Sequence, residues 1–127
     1  MRILLDTNAY SDFMRGDSCR VHIFRTAQTL YIPIIVLGEL RAGFAAGKFE
    51  STNAANLHRF LNSPRVEVLQ IDQQTTYHYA QLYLFLRKKS VAVPTNDLWI
   101  AALGVQHNLI LCTSDVHFKH FPQLPIC

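Results

Sequence analysis

The chain has 127 residues, a formal net charge of +3 and only 17% charged residues, while half of it is hydrophobic. That balance excludes a disordered chain and fits one globular domain over residues 1–127, long enough to bury its own core. Three widely spaced cysteines, Cys19, Cys112 and Cys127, argue against a disulfide framework and for a reducing compartment.

The first predicted element is a strand over "RILLD", an apolar run that ends in the carboxylate of Asp6. "AYSDFMRG" predicts a short helix stopped by Gly16. Residues 19–28 are expected to be helical, with a strand at "LYIP" after them. Pro33 suits the first turn of a helix reaching to about Gly47, because its missing N–H would have no partner there. "STNAANLHRFLNS" predicts another helix, closed by Pro64, and "VEVLQI" a strand. Over residues 73–89, Tyr79, Leu82, Tyr83 and Leu86 follow the spacing of an amphipathic helix, which ends in Arg87, Lys88 and Lys89. A helix from Asn96 to His107, a strand at "LILCT" and a short strand near "LPIC" complete the chain. Cys112 reads as a small buried hydrophobe. Strands alternating with helices predict an α/β fold with a mainly parallel sheet. The unbroken apolar runs "ILL" and "LILC" suit strands covered on both faces.

Four acids stand in costly places. Asp6 ends the first strand, and Asp115 lies just beyond the strand "LILCT". In parallel sheets, ligands bind outside the carboxyl ends of the strands. Glu39 is the only charge between Pro33 and Leu40, in a helix apolar on nearly every face. A carboxylate there is costly unless paired or bound to metal. Asp97 opens "DLWIAALGV", where a helix dipole favours an anion and Thr95 or Asn96 would serve as N-cap. Each acid also has an ordinary reading as a turn or helix-cap residue. Taken together they suggest a shared divalent cation, which relieves the repulsion among clustered carboxylates. Carboxylate ligation favours Mg²⁺ or Mn²⁺ over zinc, and no Cys/His zinc spacing competes. With four acids gathered in one cleft, five remain elsewhere against twelve Lys and Arg. A cationic surround suits a polyanionic substrate.

In sequence, "ILLDTNAYSDFMRG", "VLGELRAG" and "PTNDLWIAALGVQHNLILCTSDVHF" resemble the successive motifs of the PIN-domain ribonuclease family, above all its VapC-type toxins. The resemblance runs from Ile3 to about Leu124 and is weakest between Gly47 and Pro94. It implies a three-layer α/β/α sandwich and a metal-dependent endoribonuclease. Asp6, Glu39, Asp97 and Asp115 match the family's acidic quartet, with Thr7, Asn8, Asn96 and Thr113 as polar residues beside it. It implies Asp6 and Asp97 as direct ligands of Mg²⁺, with Mn²⁺ a substitute. Glu39 and Asp115 would bind through water or orient the nucleophile. It further implies an RNA substrate, a VapB-like antitoxin covering the cleft, and a homodimer. The expected product ends are a 5′-phosphate and a 3′-hydroxyl.

No apolar run approaches the roughly 20 residues of a membrane span, and the run before Asp6 is too short for a secretory signal. A soluble cytoplasmic protein is expected. Among the histidines, His117 is the best placed for acid–base work, but no motif links a second His to it, so a structural or surface role is expected. The aromatics from Tyr77 to Phe85 read as core, Arg87–Lys89 as a solvated helix end, and Arg41 as a surface or interface residue. A phosphoaspartyl enzyme built on Asp6 lacks its second Asp, since position 8 is Asn8. The remaining alternative is a catalytically silent scaffold that binds RNA or a protein partner.

Overall fold

A computed structural model describes residues 1–127. Four parallel strands form one sheet in the order β3-β2-β1-β4. They are β1 (Arg2–Leu5), β2 (Thr29–Pro33), β3 (Val66–Leu69) and β4 (Ile110–Cys112). The helices are α1 (Thr7–Met14), α2 (Ser18–Thr26), α3 (Ile34–Ala46), α4 (Glu50–Leu61), α5 (Gln73–Lys88) and α6 (Thr95–Gln106). The chain first builds outward from β1 to β3, then returns by α5 and α6 to lay β4 on the other side of β1. This reversal makes the gap beyond the carboxyl ends of β1 and β4 the topological switch point, where such sheets leave a crevice.

Burial explains the unbroken apolar runs. Ile3, Leu4 and Leu5 of β1 are fully buried, as are Leu111 and Cys112 of β4. Neither face of these strands meets water, so neither carries a polar alternation. Helix α6 presses closely on the sheet through Ile100, Ala101, Leu103 and Gly104. A Cβ at Gly104 would lie 2.6 Å from Leu124 Cδ1 and 3.4 Å from Leu4 Cδ2, so glycine allows this approach without moving the Leu124 side chain. On the opposite flank, Phe13 of α1 stacks on Phe24 of α2 with ring centroids 4.5 Å apart. Phe60 of α4 closes the same cluster at 5.1 Å from Tyr10. These rings fix the helix that begins at Asp6.

The structure departs from the sequence reading at several elements. The terminal "LPIC" segment makes a single parallel bridge, Leu111 to Ile126, rather than a strand. A 3-10 helix at Val116–His120 was not expected. Pro94, not Thr95 or Asn96, precedes α6, because its extended backbone (ψ 145°) sets up the turn without a side-chain cap. Tyr77 and Tyr83 on α5 are 64% and 50% exposed rather than core. The buried stripe follows Thr75, Leu82 and Leu86, and successive residues around a helix turn Tyr83 away from it.

Candidate active site

Asp6 is the N-cap of α1. Its Oδ1 accepts the Ala9 N–H at 2.7 Å, and its Oδ2 accepts the Thr113 hydroxyl from the far end of β4. The carboxyl is only 4% exposed. Burial pushes its pKa up, against the pull of these two hydrogen bonds and of the Arg20 guanidinium. Thr113 in turn accepts the Asp115 N–H at 2.9 Å. One buried hydroxyl thus ties the ends of β1 and β4 together.

Glu39 reaches the same place from α3. Its Oε1 accepts the Thr7 hydroxyl at 2.7 Å. It is half-buried rather than fully buried, because the helix opens onto a cleft at that point. Asp97 stands in the first turn of α6. Burial pushes its pKa up, the nearby charges of Asp115 and Glu39 push it further, and a hydrogen bond from His117 pulls against them. Asp115 caps the 3-10 helix, accepting the His117 N–H at 2.9 Å. As caps Asp6 and Asp115 are fixed in place, and both acids line the same opening.

That opening is a cleft of about 150 Å³ lined by Asp6, Thr7, Asn8, Glu39, Asp97, Ile100 and Asp115. The sequence-predicted quartet converges there, with Thr7 and Asn8 on the wall and Thr113 behind Asp6. Asn96 is exposed and lies outside the lining. A larger depression of about 400 Å³, beside Leu86, Val91 and Leu98, carries no carboxylate. Chemistry, not size, selects the smaller cleft.

Two residues were missed. The His117 ring Nδ1 lies 2.9 Å from Asp97 Oδ2 and 3.1 Å from Asp115 Oδ1, so the part-exposed ring joins the acidic cluster. Its place two residues after Asp115 was the available signal. Arg20 of α2 is buried, contacts Cys112 Sγ at 3.1 Å and lends positive potential to Asp6. Nothing in the local pattern of "SCRVHIF" marks it.

The donor set fits a divalent cation. Carboxylates crowd together, two of them made harder to ionise by burial, with few donors to offset them. Oxygen-rich clusters of this kind take hard cations such as Mg²⁺ or Mn²⁺. Asp97, Asp115 and His117 also offer three ligand atoms within 4.8 Å of one another.

A parallel α/β sheet with an acidic cleft at its switch point defines the class. The PIN domain family model matches residues 3–124, and the chain belongs to that family. It is 31% identical to Ribonuclease VapC2 of Rickettsia felis over 98% of this chain and 95% of the relative. It is 34% identical to the plasmid stability protein StbB of Pseudomonas syringae pv. tomato over 89% and 87% of the two chains. The fold superposes on the Rickettsia felis VapBC2 structure, bound to a DNA fragment from its promoter, with a TM-score of 0.87 at 27% identity. That match covers 100% of this chain and 98% of the other.

Proposed function

We propose that this chain is a metal-dependent endoribonuclease, the toxin of a toxin–antitoxin pair, carried on a single nuclease domain over residues 1–127. The observation that carries the proposal is the convergence of Asp6, Glu39, Asp97 and Asp115 on one cleft at the switch point of the sheet. Similarity to Ribonuclease VapC2 supports RNA as substrate. The solved VapBC complexes support a VapB-like antitoxin as partner. The antitoxin segment that quenches the enzyme would place a basic side chain against the acids. We further propose a homodimer working in the cytoplasm; no helix is long and apolar enough to cross a membrane.

Asp6 and Asp97 would hold the cation directly, with Glu39 and Asp115 completing its surround. Mg²⁺ is the proposed ion, with Mn²⁺ able to replace it. A bound divalent cation supplies the positive charge that activates water and offsets charge on the leaving oxygen. The protein does the positioning. Thr113 fixes the Asp6 carboxylate, and Thr7 fixes that of Glu39. Glu39, half-buried beside the cleft, can orient the attacking water and receive its proton. Asn8, exposed on the rim, can donate to a phosphate or sugar oxygen. In-line attack would break the P–O3′ bond, leaving a 5′-phosphate, and the departing 3′ oxygen would take a proton from water to become a hydroxyl.

The test is cleavage of total cellular RNA by antitoxin-free protein, with Mg²⁺, with EDTA, and with Asp6→Asn prepared identically. Discrete fragments with 5′-phosphate ends, lost in both controls, are the expected result. Ends bearing a 2′,3′-cyclic phosphate would overturn the mechanism. Folded, Mg²⁺-binding protein that cuts nothing would move the reading to a silent scaffold.

A further inference from the structure

His117 is not accounted for by the acidic quartet. It stands on the 3-10 helix beyond β4, and its ring enters the cluster between two acids held by different elements. A single nitrogen, Nδ1, faces both Asp97 Oδ2 and Asp115 Oδ1. One ring N–H can point at only one of them, so the second carboxylate is underserved. For Asp97 this contact is the only side-chain hydrogen bond it has.

The spacing suits a coordination sphere as well as a hydrogen bond. Two adjacent ligands on an octahedral ion, each about 2.1 Å from the metal, lie about 3.0 Å apart. The observed separations from Nδ1 are 2.9 Å and 3.1 Å. All three ligand atoms fall within 4.8 Å of one another. An ion can therefore bind this face with little rearrangement of the backbone. The Nδ1 lone pair would turn to the ion, and the ring proton would sit on Nε2. The side chain is 41% exposed, so Nε2 can exchange that proton with water.

Ligand type then sets preference. Mg²⁺ strongly favours oxygen, whereas Mn²⁺ accepts carboxylate and imidazole together. We propose that His117 is a metal ligand which, with Asp97 and Asp115, forms a mixed nitrogen–oxygen face that makes this site prefer Mn²⁺ to Mg²⁺. The proposal rests on the reading of the cleft as a cation site and refines which cation it selects.

The experiment uses untagged, metal-free protein and Mn²⁺ alone as probe. Electron spin-echo modulation at saturating Mn²⁺ reports a directly bound ¹⁴N, and a Mn²⁺ titration with Mg²⁺ competition gives both affinities. The wild-type protein is expected to show the nitrogen signal. His117→Ala should lose it, with Mn²⁺ affinity falling about tenfold or more and Mg²⁺ affinity changing by less than about threefold. His117→Gln, which keeps a polar side chain of similar reach, should behave in the same way and serves if the alanine variant does not fold. No nitrogen signal in the wild-type protein overturns the proposal. So do equal losses for both ions, which would mean that the ring only orders the carboxylates, or an affinity that does not fall. RNA cleavage is not the readout. Protein that shows the nitrogen signal but cuts no RNA would fail as a nuclease while this inference stood, and the reverse result would remove this inference alone.

Discussion

Asp6 and Asp72 do the same structural work in two regions of the molecule. Each is the N-cap of a helix, α1 for Asp6 and α5 for Asp72, and each accepts a backbone N–H three residues on. Their surroundings differ. Asp72 is exposed and well supplied: the Thr75 N–H at 3.1 Å and the Gln106 amide at 3.0 Å both reach its Oδ1. The Thr75 hydroxyl accepts the Asp72 N–H and donates to Gln106 at 2.6 Å, tying α5 to α6. These bonds, the one from Gln106 first, hold its carboxyl below the usual range. Asp6 is buried with two donors, and burial pushes its carboxyl the other way. A cap that only stabilises a helix is surrounded by partners, while a cap that also serves a site is left wanting a cation.

The largest expected difference between these regions is in cleavage. Asp6→Asn and Asp97→Asn should each lower the Mg²⁺-dependent cleavage rate by at least about a hundredfold. Their far-ultraviolet circular dichroism should be unchanged, since Asn caps helices as well as Asp6 does and Asp97 caps no helix. Asp72→Asn should leave the rate within about twofold. Equal losses at Asp6 and Asp72 would mean that both acids matter only through folding.

A smaller effect is expected one bond away. Thr113→Val removes the hydroxyl that joins Asp6 to the Asp115 backbone. Cleavage should fall about tenfold, with partial recovery at raised Mg²⁺ concentration, as for groups that orient ligands. A rate equal to that of the wild-type protein would show that Asp6 needs no such support.

Much of this was legible in the residues, for reasons that can be named. "ILLD" announced both a strand buried on two faces and an acid at its rim, because a period-free apolar run and a terminal carboxylate are local signals. Glu39 stood out as a charge in an apolar helix, and the cleft explains it. The missed features depend on distant contacts. His117 joins Asp97 across 20 residues, and no helical or strand period encodes that meeting. Arg20 is buried with its guanidinium against Cys112 of β4, 92 residues away. Tyr83 fitted the apolar template of α5, yet neighbouring Leu82 takes the inward position and leaves it exposed. Hydrophobic pattern gives a face its width, and packing decides which residues at its edge are covered.

Stability against pH should separate the two caps by sign. The folded pKa of Asp6 is raised, so its favourable contribution is full below the unfolded value of 3.8 and is lost as pH rises through the folded value. Metal-free Asp6→Asn should therefore melt above the wild-type protein at pH 7, and the gap should close in acid. Asp72 is the opposite case. Its folded pKa is lowered, so its contribution is present above 3.8 and is lost as pH falls through the lower folded value. Asp72→Asn should melt below the wild-type protein at pH 7, again with convergence in acid. Adding Mg²⁺ should raise the melting temperature of the wild-type protein more than that of Asp6→Asn, because the cation binds only the folded site. Thermal melts in EDTA from pH 3 to pH 8 would reveal either sign as wrong.

The same contrast recurs, more weakly, between two thiols. Cys127 is exposed and Cys112 is buried beside Arg20. The bridge to Ile126 and the Cys127 N–H bond to the Leu111 carbonyl at 2.9 Å bring the two residues side by side. A hydrogen bond from the Cys112 thiol, helped by Arg20, lowers Cys127 to about 7. That same bond and burial push Cys112 far up. Iodoacetamide should therefore alkylate Cys127 in the folded protein with a rate that is half-maximal near pH 7, and spare Cys112 until the chain unfolds. Cys112→Ala removes the donor and should move the Cys127 midpoint up, whereas Cys112→Ser keeps a hydroxyl donor and should leave it low. Peptide mass spectrometry of the labelled protein across pH 5.5–9 reads both. A Cys127 midpoint near the ordinary thiol value of about 8.5 in the wild-type protein would mean that the neighbouring thiol, unlike the donors around Asp72, does not stabilise the charged form.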